Sequence, residues 1–193
     1  MPVSCPHDLS ISVEPRFLDA AASMRWLRWC RACLAWEQEQ VRLFGRTHPC
    51  RRLTAFVGEP GQRYRYSGVE HRGAGIPRPL SVLLGAVARH LGCEFNCILA
   101  TWYRDGDDRL GWHADAETAL GPDPILAVLS LGAPRTLAFR TRAVPRCNHR
   151  VELPTGSLLH MGAGTQLRWQ HSVPPRRGRT ERISLGFRQL VAV

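Results

Sequence analysis

Beyond Cys93 the chain is broken into short apolar runs by Gly, Pro and Asp about every ten residues, a spacing that suits strands and leaves no room for ordinary helices. The runs are FNCILATWY, GWHAD, ILAVLSLG, RTLAFRT, RVELP, SLLHMG, QHSVP and RISLGFRQL. A series of this kind closes into a barrel or a sandwich, because open sheet edges must be paired or covered. Upstream the pattern changes. Leu9 to Val13 reads as a strand. From Leu18 or Asp19 to about Glu39 the apolar residues recur at helical spacing, with Trp26, Trp29, Cys30, Cys33, Leu34 and Val41 near one stripe. Pro79 to Leu91 repeats that period, with Leu80, Leu83, Leu84, Val87 and Leu91 on one face. Between the two, Val41 to Gly75 is rich in Arg, Gly, Pro and aromatic residues and predicts loops and short strands, with turns at Glu59-Pro60-Gly61 and Ser67-Gly68. The fold class that follows is α+β, mostly β: a jelly roll, or double-stranded β-helix, with N-terminal helices packed on one sheet.

The length of 193 residues suits one domain. Arg, Pro or Asp interrupts every apolar stretch before it could span a bilayer, so no membrane partner is expected. The start, MPVSCPHDLS, has neither a basic nor an apolar leader region, which makes the cytoplasm the expected address. The seven cysteines form no regular framework and read as reduced thiols, with Cys30 and Cys33 buried on a helix. All 26 basic residues are Arg, against 16 acidic ones, leaving a formal charge of +10. Permanently charged guanidiniums in that excess attract phosphate polymers and favour bidentate contacts with them.

His113-Ala114-Asp115 falls on a predicted strand, where residues two apart share a face, so an imidazole and a carboxylate project together. A second His on a neighbouring strand would complete a two-His-one-carboxylate triad of the kind that suits non-haem Fe(II). His171, in Trp169-Gln170-His171-Ser172-Val173-Pro174, is the candidate. In the last strand, alternation places Ile183, Leu185 and Phe187 on one face and Arg182, Ser184, Gly186 and Arg188 on the other. On its own that strand reads as half-exposed with its arginines in solvent. Inside a barrel, the two guanidiniums would need an anion such as a dicarboxylate.

Together, Trp102-Tyr103-Arg104-Asp105-Gly106, Gly111 to Glu117, Leu129-Ser130-Leu131-Gly132, Trp169 to Pro174 and Arg182 to Arg188 resemble the AlkB family of Fe(II)- and 2-oxoglutarate-dependent nucleic-acid dioxygenases. The resemblance runs from about Val41 to Arg188 and is strongest with the branch that includes the mammalian duplex-DNA repair enzyme. It implies a single catalytic domain over 1–193, with a nucleotide-recognition lid at 41–75 and a jelly-roll core at 93–190. His113, Asp115 and His171 would bind Fe(II). Arg182 would hold the distal carboxylate of 2-oxoglutarate, helped by Tyr103, with Thr101, Ser184 and Gly186 in the same pocket and Arg188 at its metal end. O2 would be the oxidant, and N-methyl groups on bases would leave as formaldehyde, with succinate and CO2 as co-products.

In the lid, Phe44 of Leu43-Phe44-Gly45-Arg46 resembles the finger that fills the gap left by a flipped base. Tyr64, Tyr66 and Ser67 resemble the base-pocket segment, and Glu117 the acidic residue that contacts the base. The expected function is demethylation of 1-methyladenine and 3-methylcytosine in DNA by a monomeric enzyme. The alternatives are an RNA or tRNA dioxygenase with the same iron site, or a silent nucleic-acid-binding relict. The chain departs from the family pattern at Thr101, where Asn is usual, and at Gly186, where Thr is frequent. Both changes are expected to weaken the co-substrate pocket.

Overall fold

The structure, a computed structural model, describes residues 8–191 except positions 44, 67 and 145. It opens with β1 (Ile11–Glu14) and α1 (Ala20–Cys33), followed by the hairpin β2 (Gln40–Leu43) and β3 (Arg46–Pro49), β4 (Leu53–Gly58), and a second hairpin, β5 (Arg63–Tyr66) and β6 (Val69–Arg72). Then come α2 (Arg78–Leu91), β7 (Cys97–Tyr103), β8 (Leu110–His113), a 3-10 turn at Thr118–Leu120, β9 (Leu126–Gly132) and β10 (Arg135–Thr141). The chain ends with β11 (Asn148–Leu153), β12 (Leu158–Met161), the short α3 (Thr165–Arg168), β13 (Trp169–Val173) and β14 (Arg182–Arg188).

Each of the apolar runs beyond Cys93 contributes a strand, and the strands form the two facing sheets of a jelly roll. The larger sheet has the order β1-β12-β9-β14-β7-β4 and the smaller β11-β10-β13-β8. Pleating sorts the larger sheet's side chains. Ile98, Ala100, Leu129, Leu131, Ile183, Leu185 and Phe187 face the helices and pack with Leu27, Cys30, Leu80, Leu83 and Val87. The opposite face joins Phe139, Trp169 and Val173 of the smaller sheet in a second core that includes Tyr103, Leu126 and Leu159. Both helices therefore cover one sheet, and the space between the sheets is left for the inward faces of β7, β9 and β14. Every residue of β14 is buried, so its arginines do not lie in solvent.

α1 starts where the sequence indicates, with the Asp19 carboxylate accepting from the Ala22 N–H at 2.6 Å. It stops at Cys33, well short of Glu39, because the backbone of Glu37 exchanges two hydrogen bonds with Thr54, at 2.8 and 2.9 Å. Cys30 is buried, its thiol pushed up to about 12 by desolvation and by Cys33, whereas Cys33 faces solvent. α2 ends on Gly92, whose φ of 64° closes the helix in the left-handed region. Among the described residues no helix is long and apolar enough to cross a membrane.

α2 docks through Leu80, Leu83 and Val87, of which Leu80 and Val87 are fully buried. Leu80→Ala should lower the unfolding free energy by about 2 to 5 kcal/mol, the usual cost of an unfilled core site, as read by urea denaturation.

Candidate iron and co-substrate site

The smaller sheet sets two imidazoles opposite each other. In the register of β13 and β8, His171 pairs directly with His113, and their ring centroids lie 4.2 Å apart. His113 Nδ1 lies 2.9 Å from the carbonyl of Gly111. A carbonyl only accepts, so Nδ1 carries the proton and Nε2 keeps its lone pair for a metal. Burial lowers the pKa of both rings, and for His171 the neighbouring His113 adds to the effect, taking it down to about 3. Both imidazoles are neutral at physiological pH and able to ligate.

Asp115 reaches the same point by a different route from the one its sequence position suggests. β8 ends at His113, so strand alternation does not aim Asp115. Instead its N–H donates to Gln166 Oε1 of α3 at 3.0 Å, and its carboxylate accepts from Arg188 Nη2 at 3.2 and 3.3 Å. Burial alone would raise this carboxyl, but Arg188 and the two imidazoles overcome it and hold the pKa at about 2. One ligand atom from each of His113, Asp115 and His171 lies within 4.8 Å of the others. Two neutral imidazoles and one carboxylate, held without a regular strand under the third ligand, fit an Fe(II) ion with open coordination positions.

The residues expected to hold the co-substrate occupy the facing sheet as two cross-strand pairs, Arg182 with Tyr103 and Ser184 with Thr101. These four line a cavity shared with the triad, as do Gly186 and Arg188. Arg182 is 2% exposed. Its Nε donates to Ser130 Oγ at 2.9 Å, and its guanidinium lies 5.3 Å from the Tyr103 ring centroid. Burial, reinforced by Arg135, lowers it to about 10 against the opposing influence of Tyr103. A buried cation flanked by hydroxyls and short of negative charge fits a carboxylate ligand, as 2-oxoglutarate would present.

Gly186 plays a part that the sequence did not suggest. A Cβ there would lie 2.5 Å from Arg188 Nη1 and 3.2 Å from the Leu99 carbonyl. The missing side chain is the space into which Arg188 folds to donate to the Gly186 carbonyl at 3.0 Å and to reach Asp115.

Tyr64 and Tyr66 form an aromatic wall beside the triad. Their rings stack at 6.0 Å and 24°, and Tyr66 meets His113 edge-on at 6.3 Å. Tyr64 Oη donates to Glu117 Oε2 at 3.3 Å. Burial and the charge of Asp115 raise the pKa of Glu117. Behind the wall, Glu39 is buried with Arg52 and His71. It accepts from Thr54 Oγ1 at 2.8 Å and lies 3.1 Å from His71 Nε2, tying β6 to β4. Phe44 and Ser67 lie outside the described residues. Sequence reasoning gave Ser130 a place in a motif but no role, and it gave none to Gln166, Arg52 and Arg135. Of these only Ser130 carried a signal, a hydroxyl at an inward position of an otherwise apolar strand.

The three candidate ligands are not equivalent. Asp115→Ala and His171→Ala should each abolish binding of Co(II), a spectroscopic substitute for Fe(II), in a titration. Asp115→Ala should also cost about 3 to 5 kcal/mol in urea denaturation, because it leaves Arg188 buried and unpaired. The double variant Asp115→Ala, Arg188→Met should recover most of that loss.

The chain matches the 2OG-Fe(II) oxygenase superfamily over residues 10–188. It is 34% identical over 189 residues to the alpha-ketoglutarate-dependent dioxygenase alkB homolog 3 of Rattus norvegicus, covering 92% of this chain and 63% of that protein. It is 35% identical over 165 residues to the DNA oxidative demethylase ALKBH2 of Mus musculus, covering 79% of this chain and 67% of that one. The chain thus spans less than two thirds of the rat relative's length. In fold it is similar to the solved structure titled "The structure of OsALKBH1", with a TM-score of 0.67 at 16% identity over 94% of this chain and 97% of that one. A 2OG-Fe(II) oxygenase-family oxidoreductase from Burkholderia pseudomallei is also similar, with a TM-score of 0.59 at 16% identity over 94% and 87% of the two chains. With its triad, buried arginine pair and jelly roll, this chain belongs to the AlkB family of the 2OG-Fe(II) oxygenase superfamily.

Proposed function

We propose that the protein catalyses the oxidative demethylation of 1-methyladenine and 3-methylcytosine in DNA, using Fe(II), O2 and 2-oxoglutarate. The observation that carries this reading is the wall of Tyr64, Tyr66 and Glu117, which abuts the triad at His113. Both lesions are cationic at neutral pH, and a cationic aromatic base suits a stack of π faces that ends in a carboxylate. Glu117 is held at a raised pKa by burial and by Asp115, and the positive charge of an arriving base opposes that rise by favouring the ionised carboxylate. The segment 41–75, which carries the wall's tyrosines and the buried Glu39 partner His71, serves as the recognition lid in this reading. The Arg excess supplies the phosphate attraction.

Fe(II) and 2-oxoglutarate, when bound, supply the oxidising power drawn from O2, with succinate and CO2 as the co-substrate's products. His113, Asp115 and His171 would hold the metal, while Arg182, Ser184, Thr101 and Tyr103 would orient the dicarboxylate. Tyr64 and Tyr66 would exclude water and hold the N-methyl group against the metal side of the pocket. Hydroxylation of that methyl yields an N-hydroxymethyl base; its hydroxyl gives up a proton to water, the O–H electron pair forms the C=O bond of formaldehyde, and the N–C pair returns to nitrogen, leaving a neutral base.

The test is incubation with Fe(II), 2-oxoglutarate and matched DNA and RNA oligonucleotides carrying one 1-methyladenine, with succinate and the restored adenine measured by mass spectrometry. Equal stoichiometry on DNA is expected. Turnover confined to RNA would replace the substrate, and no restored base on either would overturn the reading. Glu117→Gln should slow repair of cationic 1-methyladenine about tenfold more than repair of the neutral 1,N6-ethenoadenine, because only the cation gains from the carboxylate charge.

A further inference from the structure

Arg135 is the first residue of β10 and is 1% exposed, yet it does not line the co-substrate cavity. Its Nη1 donates to the carbonyl of Asp105 at 3.1 Å, and its Nη2 to those of Asp108 at 2.7 Å and Pro174 at 2.9 Å. None of the ion pairs among the described residues includes it, and the Asp108 carboxylate is taken by Arg104 at 2.8 and 3.0 Å. The Arg135 guanidinium lies 5.1 Å from the Tyr103 ring centroid, and that of Arg182 lies 5.3 Å from the same centroid. Two buried cations thus share one aromatic ring, and among the described residues the groups to which Arg135 donates hydrogen bonds are neutral carbonyls.

We propose that Arg135 is a positioning residue that sets the preference of the co-substrate pocket for a dicarboxylate, acting through Tyr103 and Arg182. This rests on the reading of that pocket as the 2-oxoglutarate site. Arg182 alone would suffice to meet one carboxylate. A second guanidinium behind Tyr103, bonded to carbonyls and with the nearby Asp108 carboxylate engaged by Arg104, strengthens the positive potential at the pocket's distal end without touching the ligand, and it fixes the ring against which Arg182 is oriented. The three carbonyls add a mechanical role. Asp105 and Asp108 belong to the loop that leads into β8, and Pro174 follows β13, so one side chain ties the entry to one His-bearing strand to the exit from the other. Lysine could supply the charge but not the planar fork that spans three acceptors.

A mere clamp and an electrostatic determinant differ in what they do to a ligand without a distal charge. The experiment is calorimetric titration of the Mn(II)-loaded protein, under anaerobic conditions, with 2-oxoglutarate and with 2-oxopentanoate. The second shares the 2-oxo acid end and lacks the distal carboxylate. Arg135→Gln keeps amide donors and removes the charge. It should weaken 2-oxoglutarate about tenfold and leave 2-oxopentanoate within about twofold of the wild type. Arg135→Lys, which keeps the charge, should retain most of the preference for 2-oxoglutarate. Equal weakening of both ligands in Arg135→Gln, or no weakening of either, overturns the proposal. If Arg135→Gln does not fold, a folded Arg135→Lys that has lost the preference overturns it equally. A wild type that does not prefer 2-oxoglutarate overturns the reading of the pocket itself and this inference with it, whereas a preference that Arg135→Gln leaves undiminished overturns only this inference.

Discussion

The burial of two guanidiniums on one central strand governs the whole arrangement. β14 lies between β9 and β7 with all of its residues out of water, and no position on it can carry a charge without an arranged partner. Its two ends solve the problem differently. Arg188 is neutralised within the chain by Asp115, which fixes a metal ligand at the same time. Arg182 finds a serine hydroxyl and an aromatic ring, neither of which carries a full negative charge. The strand that completes the barrel is therefore also the one that defines the metal end and the anion end of the cavity.

Much of this was legible in the sequence because it depends on period two. The inward set Arg182, Ser184, Gly186 and Arg188 follows from alternation alone, and the apolar runs beyond Cys93 each became a strand. What could not be read depends on contacts distant in the chain. The helical pattern runs on past Cys33, but the backbone of Glu37 bonds to Thr54, and that pairing competes with helix without leaving a local mark. Asp115 shares a face with His113 in a strand reading, yet it is aimed by Gln166 and Arg188, far along the sequence. Gly186 read as a weakened co-substrate contact, since a missing side chain shows no sign of the neighbour that fills its place.

The aromatic wall and the triad are joined more closely than their separation in sequence suggests. Arg188 lies 5.9 Å from the Tyr64 ring centroid, Tyr64 bonds Glu117, and Arg52 lies 5.9 Å from the Tyr66 ring centroid while it stands 3.6 Å from Glu39. A continuous polar and aromatic seam runs from the buried Glu39 to the carboxylate of Asp115. Substitutions anywhere along it act on neighbours in contact, and their effects on stability are not expected to add.

β8 gives the site an unequal mechanical footing. It is a four-residue strand at the edge of the smaller sheet, paired only with β13 and with an irregular register between its two pairing points. His171 and Asp115 are anchored in the interior, whereas His113 stands on a short edge strand paired on one side alone, with two register pairs. Edge segments of this kind exchange their amide protons by local opening rather than by global unfolding. A metal ion held between His113 and His171 acts as a clasp across that edge, so its departure would loosen β8 while the two-sheet core stays closed.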